Sequence, residues 1–292
     1  MLASIKTLLL SVVDYAGLFP PAKLDLQQAM ANYACYQTTA YAWMLGRFVL
    51  PASRLREFTE LLPKFSSPQQ WRLSVILSQD IESDIKKVRS LDNNKAIAVT
   101  SLEIPPLPPT EIKKALSHLP KGVDSYFEIP LHSDIEAYLA VLSHTGASAK
   151  IRTGGVTVDA FPSVTQLYEC MLAFAKAPIP FKATAGLHHP LLGKHPLTNE
   201  PDSPVAEMHG FLNVALVAAL IYQQKITREE ALELLKESSI EALQITQDSI
   251  SWQDYQLNLV EIEQTRQKFF RSFGSCSFDE PIDDLKKLKL LS

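Results

Sequence analysis

Strand-like apolar runs alternate with amphipathic helical stretches over the first 186 residues, and this alternation is the strongest constraint on the fold. The pattern predicts strands at Ser11–Tyr15, Ala42–Val49, Leu73–Leu77, Ala96–Thr100, Ser125–Ile129, Ala149–Arg152 and Pro180–Ala185. Between them it predicts helices at Leu24–Gln37, Ser53–Leu62, Ile81–Ser90, Thr110–His118, Ser133–Leu142 and Ser163–Lys176. Ser53, Thr110, Ser133 and Ser163 stand where N-caps belong. Six strand–helix units in register imply a parallel sheet under covering helices. The 292 residues fit one α/β barrel of the (β/α)8 TIM type, ~250 residues with extensions.

Beyond the seventh strand the pattern changes. Leu187–Glu207 carries four prolines and no helical period. Met208, Phe211, Leu212, Ala215, Leu216, Ala219 and Leu220 then recur at helical steps, and further helices are expected near Thr227–Lys236 and Tyr255–Arg271. No eighth strand is evident. A closed eightfold barrel is the first expectation, with an irregular closure at strands 7–8 or an open doubly wound sheet as alternatives. The chain reads as a single domain, 1–292, with a helical C-terminal extension from about 223.

A chain that is 46% hydrophobic and 21% charged is neither disordered nor fibrous. Its net charge of −4 gives no basic excess for nucleic acid. Cys35, Cys170 and Cys276 are too sparse for a disulfide framework and lack zinc spacing, which points to reduced thiols in the cytoplasm. Lys6 before Thr7–Val13 resembles a signal peptide, but Asp14 ends the run without a small-residue cleavage site. A first buried strand is expected there instead. Phe211–Tyr222 is too short for a bilayer, which needs ~20 apolar residues. No nucleic-acid or membrane partner is expected, no cofactor or metal is assigned, and a homo-oligomer is left open.

Side chains alternate along a strand, so charges between apolar neighbours point into the barrel. In Ala149-Lys150-Ile151-Arg152 both cations share the inner face. Lys182 and Thr184 do so in Phe181–Thr184, Glu128 lies opposite Phe127 and Ile129, and Asp14 lies opposite Val13 and Tyr15. Arg47 sits late in the second strand. Buried charges must be paired or lie at a solvated mouth. Arg47, Lys150, Arg152 and Lys182 against Asp14 and Glu128 leave two positive charges in excess, which favours a small anionic ligand.

Gly17, Gly46, Gly154, Gly155 and Gly186 fall at or just past strand C-termini, the active-site face of such barrels. Four of the seven histidines, His188, His189, His195 and His209, fall in Leu187–His209. His188 and His189 suit acid–base work, anion contact or metal ligation, whereas His195 reads as solvated or structural. The long stretch itself reads as a lid or a rigid crossing. Phe273–Pro281 reads as a turn docking the C-terminus or as an anion-binding loop. Cys276 has no identified base partner.

Lys150-Ile-Arg-Thr-Gly-Gly-Val-Thr-Val-Asp-Ala160 and Phe181-Lys-Ala-Thr-Ala-Gly-Leu187 resemble the sixth and seventh strands of deoxyribose-phosphate aldolase. Val12-Val-Asp-Tyr-Ala-Gly-Leu-Phe-Pro-Pro21 is similar to that family's first strand and loop. The resemblance implies a class I aldolase on a TIM barrel, with Lys150 forming the Schiff base and Lys182 assisting. Arg152 stands where the family has a small hydroxyl residue, and Ala183 where it has proline. His188-His189 replace the start of a glycine-rich phosphate loop, and Gly210-Phe-Leu-Asn213 lacks the phosphate-binding serines. The same stretches also resemble uncharacterised bacterial barrel proteins.

The expectation is therefore an aldolase- or lyase-like enzyme for a small anionic carbonyl compound. Lys150, Lys182, Glu128 and Asp14 are its candidate catalytic groups. Arg47, Arg152, Thr184, Gly154, Gly155, Gly186, His188, His189 and His209 are the candidate binding residues. The alternatives are a metal-assisted hydrolase or isomerase using His188, His189, His209 and Glu128, and a non-catalytic anion-binding barrel.

Overall fold

The structure, a computed structural model, describes residues 1–65, 69–131, 133–198 and 200–291. Eight parallel strands close into a barrel. Seven come in order: β1 (Val13–Tyr15), β2 (Leu45–Pro51), β3 (Trp71–Ile76), β4 (Ile97–Ile104), β5 (Asp124–Glu128), β6 (Ser148–Arg152) and β7 (Phe181–Thr184). After them come a hairpin, β8 (Gly193–Pro196) with β9 (Val205–Met208), and a small antiparallel sheet, β10 (Leu243–Ile245), β11 (Ser249–Trp252) and β12 (Tyr255–Asn258). The eighth barrel strand is β13 (Phe270–Ser275), which inserts between β7 and β1.

The helices are α1 (Ala3–Leu9), α2 (Leu26–Tyr36), α3 (Leu55–Leu61), α4 (Ile81–Arg89), α5 (Pro109–His118), α6 (Ile135–Leu142), α7 (Val164–Lys176), α8 (Phe211–Tyr222), α9 (Arg228–Leu235), α10 (Leu259–Lys268) and α11 (Asp279–Lys287). Among the described residues no helix is long and apolar enough to cross a membrane.

The barrel order agrees with the strand–helix alternation, and the departures have local causes. Thr7–Val13 is not one strand. Ile5, Leu8 and Leu9 are buried at helical spacing on α1, leaving only three residues for β1. Ser163 caps α7 in a reciprocal box with Gln166, and Thr227 caps α9 with Glu230. Asp134 takes the cap expected of Ser133, and Pro109 starts α5 ahead of Thr110. Ser53 lies in a 3₁₀ turn before α3.

The extension is not wholly helical: Tyr255–Asn258 and Phe270–Ser275 are strands on either side of α10. Phe273–Ser275 thus belongs to the barrel wall rather than to a turn. The outer faces of the strands pack on the helices. Phe48 of β2, for example, lies 5.3 Å from Tyr33 of α2 and 5.7 Å from Trp71 of β3 between ring centroids. Such contacts supply the hydrophobic core and leave the inner face free for polar groups.

Candidate functional site

The barrel interior holds an alternating chain of charges. Lys182 Nζ lies 2.5 Å from Asp14 Oδ2 and 2.7 Å from Glu103 Oε1. The other oxygen of Glu103 lies 3.2 Å from Lys150 Nζ, which is 2.8 Å from Glu128 Oε2. Glu128 Oε1 in turn accepts from Arg152 Nε at 2.8 Å. Strand register produces this order: Glu128, Lys150 and Lys182 are lateral partners across β5, β6 and β7. Asp14, Glu103, Glu128, Lys150 and Lys182 are each buried against at least one opposite charge, the condition under which burial is tolerated, whereas Arg152 is exposed at the rim.

Hydroxyls and a backbone amide add donors to Asp14 and Glu103, with Arg47 N donating to Asp14 Oδ1 at 2.9 Å. Ser272 of β13 donates to Asp14 Oδ2 at 2.7 Å, and Ser101 donates to Ser74, which donates to Glu103 Oε1. Burial raises the Asp14 carboxyl, but Lys182 and Arg47 outweigh it and hold it below its ordinary value. Glu103 is likewise pushed up by burial and drawn well below the carboxylate range by Lys182 and Lys150. Glu128 is lowered by Lys150 and Arg152 against the same desolvation. Burial works against the Lys182 ammonium, yet Asp14 and Glu103 raise it above its ordinary value. Lys182 is therefore a fixed cation.

A cavity of about 610 Å³ opens above this array at the C-terminal ends of the strands. Lys150, Glu103, Arg152 and Thr184 form the barrel's share of its polar lining, and His188, His189, Ser277 and Glu280 add polar groups from the loops and α11. Val49 and Ile76 continue the barrel wall, and the β1 loop adds Phe19, Pro20, Pro21 and Ala22. The hairpin contributes Pro196 and Met208, so the proline-rich stretch is a structured cover carrying two strands. The loops after β6 and β7 are stitched together. Thr153 N donates to Thr184 O at 3.0 Å, and Thr153 Oγ1 donates to Ala185 O. Gly186 has φ +77°, and a Cβ there would stand 2.6 Å from Thr153 O. Gly154 makes the same close approach from the other side, whereas Gly155 lines the cavity.

Other candidates lie elsewhere. Arg47 turns away from the cavity, donating to Thr100 Oγ1 at 3.0 Å and pairing with Asp124 at 2.8 Å, at the start of β5. Asp14 is fully buried below the cavity floor. His209 is buried with Nε2 2.6 Å from Pro162 O, where it donates; burial lowers its proton affinity and keeps it neutral. His188 and His189 do line the cavity. His188 Nδ1 lies 3.0 Å from Glu280 of α11, and His189 Nδ1 lies 2.6 Å from Asp284. His195 stacks on His189 with ring centroids 3.4 Å apart.

His188 and His189 thus face Glu280 and Asp284 of α11, His209 faces Pro162 O, and Glu128 faces Lys150 and Arg152. Among the described residues no three His, Cys, Asp or Glu side chains are grouped to hold an ion. Cys276 lines the cavity, but burial pushes its thiol up to about 11.

Glu103, Ser272 and Glu280 are central residues that sequence reasoning missed. Glu103 lies past a register shift in the β3–β4 pairing, after which Ser101 and Glu103 share the inner face. An Ile–Ala–Val–Thr–Ser–Leu–Glu–Ile run read to its end would have included it. In comparison with known proteins, the chain matches no family model, no curated protein and no solved structure.

Proposed function

We propose that the cavity is the active site of a Schiff-base-forming lyase of aldolase type, acting on a small anionic carbonyl compound, with Lys150 as the nucleophile. One observation carries this reading. Among the described residues, Lys150 is the lysine that lines the cavity, and its Nζ lies within 3.2 Å of two carboxylates. The resemblance of the Lys150 and Lys182 stretches to deoxyribose-phosphate aldolase supports the same assignment. The three free cysteines fit a cytoplasmic setting.

The chemistry follows from proton positions. The Lys150 ammonium passes a proton to Glu128 or Glu103, and the freed amine attacks the carbonyl carbon. The carbonyl oxygen leaves as water with two protons that began on the ammonium, relayed by the carboxylates. The resulting iminium withdraws electrons, so a proton or a carbon–carbon bond next to it is broken more easily. Lys182 supplies fixed positive charge beneath Glu103 rather than a second nucleophile. Arg152, at the rim, supplies the anion contact.

Borohydride reduction of the protein with pyruvate, glyceraldehyde or 4-methyl-2-oxopentanoate, followed by peptide mass mapping, tests the reading. A reduced adduct confined to Lys150 is expected. Adducts on Lys182, or spread over surface lysines with Lys150 untouched, would overturn it. Ligand binding without any adduct would favour a non-catalytic anion-binding barrel.

A further inference from the structure

We infer that this site takes oxo acids with an apolar body, and that it selects a carboxylate against a phosphate ester. The inference rests on the reading of Lys150 as the carbonyl-binding amine and adds what accompanies that carbonyl.

At the usual phosphate position of a parallel barrel, several of the amides that would hold the ligand are already bonded within the protein. Phosphate is commonly held there by backbone amides of the loops after strands seven and eight and by a nearby helix N-terminus. Here the first amides of α8 are consumed by its own leading loop. Phe211 N donates to His189 O and Leu212 N to Pro190 O, each at 2.9 Å. Asn213 Oδ1 accepts from Leu192 N at 3.0 Å. After β13, Ser277 N donates to Ser275 Oγ and Glu280 N to Ser277 Oγ. Glu280 itself lines the cavity and adds a negative charge where a dianion would lie.

Arg152 remains as the anion contact. Its Nε is bound to Glu128, while its two terminal nitrogens bond to no described residue and the side chain is 55% exposed. A guanidinium edge presenting two N–H donors matches a carboxylate or a phosphate, so the choice between them falls to the bonded helix ends and to Glu280. Lys150 and Arg152 contact the two oxygens of the same Glu128 carboxylate. A ligand bridging them must therefore carry its carbonyl within a carbon or two of its carboxylate. The lining cations Lys150 and Arg152 are balanced by Glu103 and Glu280, which suits a monoanion better than a dianion. Phe19, Pro21, Val49, Ile76, Phe161 and Met208 form the apolar wall, and 610 Å³ exceeds what a three-carbon acid fills.

Calorimetric binding separates this inference from the Schiff-base reading. The probes are 4-phenyl-2-oxobutanoate, 3-phenylpropanal and deoxyribose 5-phosphate, against the native protein, Arg152→Gln and Lys150→Met, with circular dichroism to confirm folding. The native protein should bind the oxo acid at least tenfold tighter than the aldehyde or the phosphate ester. Arg152→Gln should erase that preference and Arg152→Lys restore part of it. Lys150→Met should keep the preference for the carboxylate while losing borohydride trapping. Oxo-acid preference without trapping in the native protein sinks the Schiff-base reading alone. Trapping without preference for the carboxylate overturns this inference alone. A phosphate ester binding as tightly as the oxo acid, a preference that survives in Arg152→Gln, or no oxo-acid binding at millimolar concentration also overturns it.

Discussion

Lys182 Nζ stands 2.7 Å from Glu103 Oε1, and neither side chain is more than 2% exposed. The ammonium also holds Asp14 at 2.5 Å, so one buried cation keeps two buried carboxylates compensated. Removing it leaves both without their nearest counter-charge. Breaking a buried pair by deleting one partner costs roughly 3–5 kcal/mol. Lys182→Met is expected to lose about that much in a urea titration. A loss below about 1 kcal/mol would show that the array is far more solvated than its packing implies.

The same array sets a pH dependence. Asp14 and Glu103 are held below the ordinary carboxylate range, so their stabilisation is complete above roughly pH 4. It is lost as pH falls through the depressed folded values, because the unfolded chain takes up protons first. In Lys182→Met both carboxyls lose their main cation and burial raises them. The acid-unfolding midpoint followed by circular dichroism should move to higher pH in the variant. Coincident acid transitions for the variant and the native protein would contradict the assignment.

The polar interior was legible where strands alternate without interruption. Lys150 and Arg152 alternate with Ala149 and Ile151 on β6, as Lys182 does with Phe181 and Ala183 on β7, and parity alone aims them inward. Glu103 was hidden by the irregular pairing at Thr100, where Leu73 pairs with Val99 but Ser74 pairs with Ser101. The eighth strand was hidden differently. β13 puts Ser272 and Gly274 on the polar inner face, so it shows no long apolar run, and α10 ends only one residue before it begins. A short strand against an amphipathic helix reads as more helix. Arg47 obeyed parity but not position: its long side chain runs toward Asp124 at the opposite end of the barrel from the cavity.

Cys276 lines the cavity with its thiol pushed up to about 11 by burial. At pH 8 only about one thiol in a thousand is then ionised, and the thiolate is the reactive form. Iodoacetamide at that pH should label exposed Cys35 and leave Cys276 nearly unmodified by peptide mass mapping. Labelling of Cys276 should accelerate about tenfold per unit as pH rises toward 11. Rapid labelling of Cys276 at pH 7 would bring thiol nucleophilic chemistry back into consideration.

Glu128 binds Lys150 and Arg152 through its two oxygens at 2.8 Å each, so it is both proton acceptor and spacer in the proposed chemistry. Glu128→Gln keeps the shape and removes the base. General acid–base groups contribute about 10²–10⁴-fold, so borohydride trapping at Lys150 should slow by at least ~10²-fold. Fold should persist, because Glu103 still faces Lys150 at 3.2 Å. Unchanged trapping would transfer the proton-accepting role to Glu103, and Glu103→Gln would then be the slow variant.

Gly186 packs the loop after β7, which carries His188, against the loop that follows Arg152 at the end of β6. Its φ of +77° is unfavourable for any residue with a Cβ, and an added Cβ would also meet Thr153 O at 2.6 Å and Gly154 Cα at 2.7 Å. These contacts are backbone atoms, so neither can swing aside as a side chain would. Gly186→Ala should therefore separate the β6 and β7 loops and break the donation from Thr153 Oγ1 to Ala185 O. Strain of this kind costs about 1–3 kcal/mol, which a thermal melt resolves. The site should suffer more than the fold, because Arg152 and Thr184, lateral partners across β6 and β7, sit directly beneath the separated loops. Ligand-observed NMR with 4-phenyl-2-oxobutanoate is expected to show weakened binding in Gly186→Ala at temperatures where the barrel remains folded. A melt and an affinity both equal to those of the native protein would mean that the two loops are not held together as the structure has them.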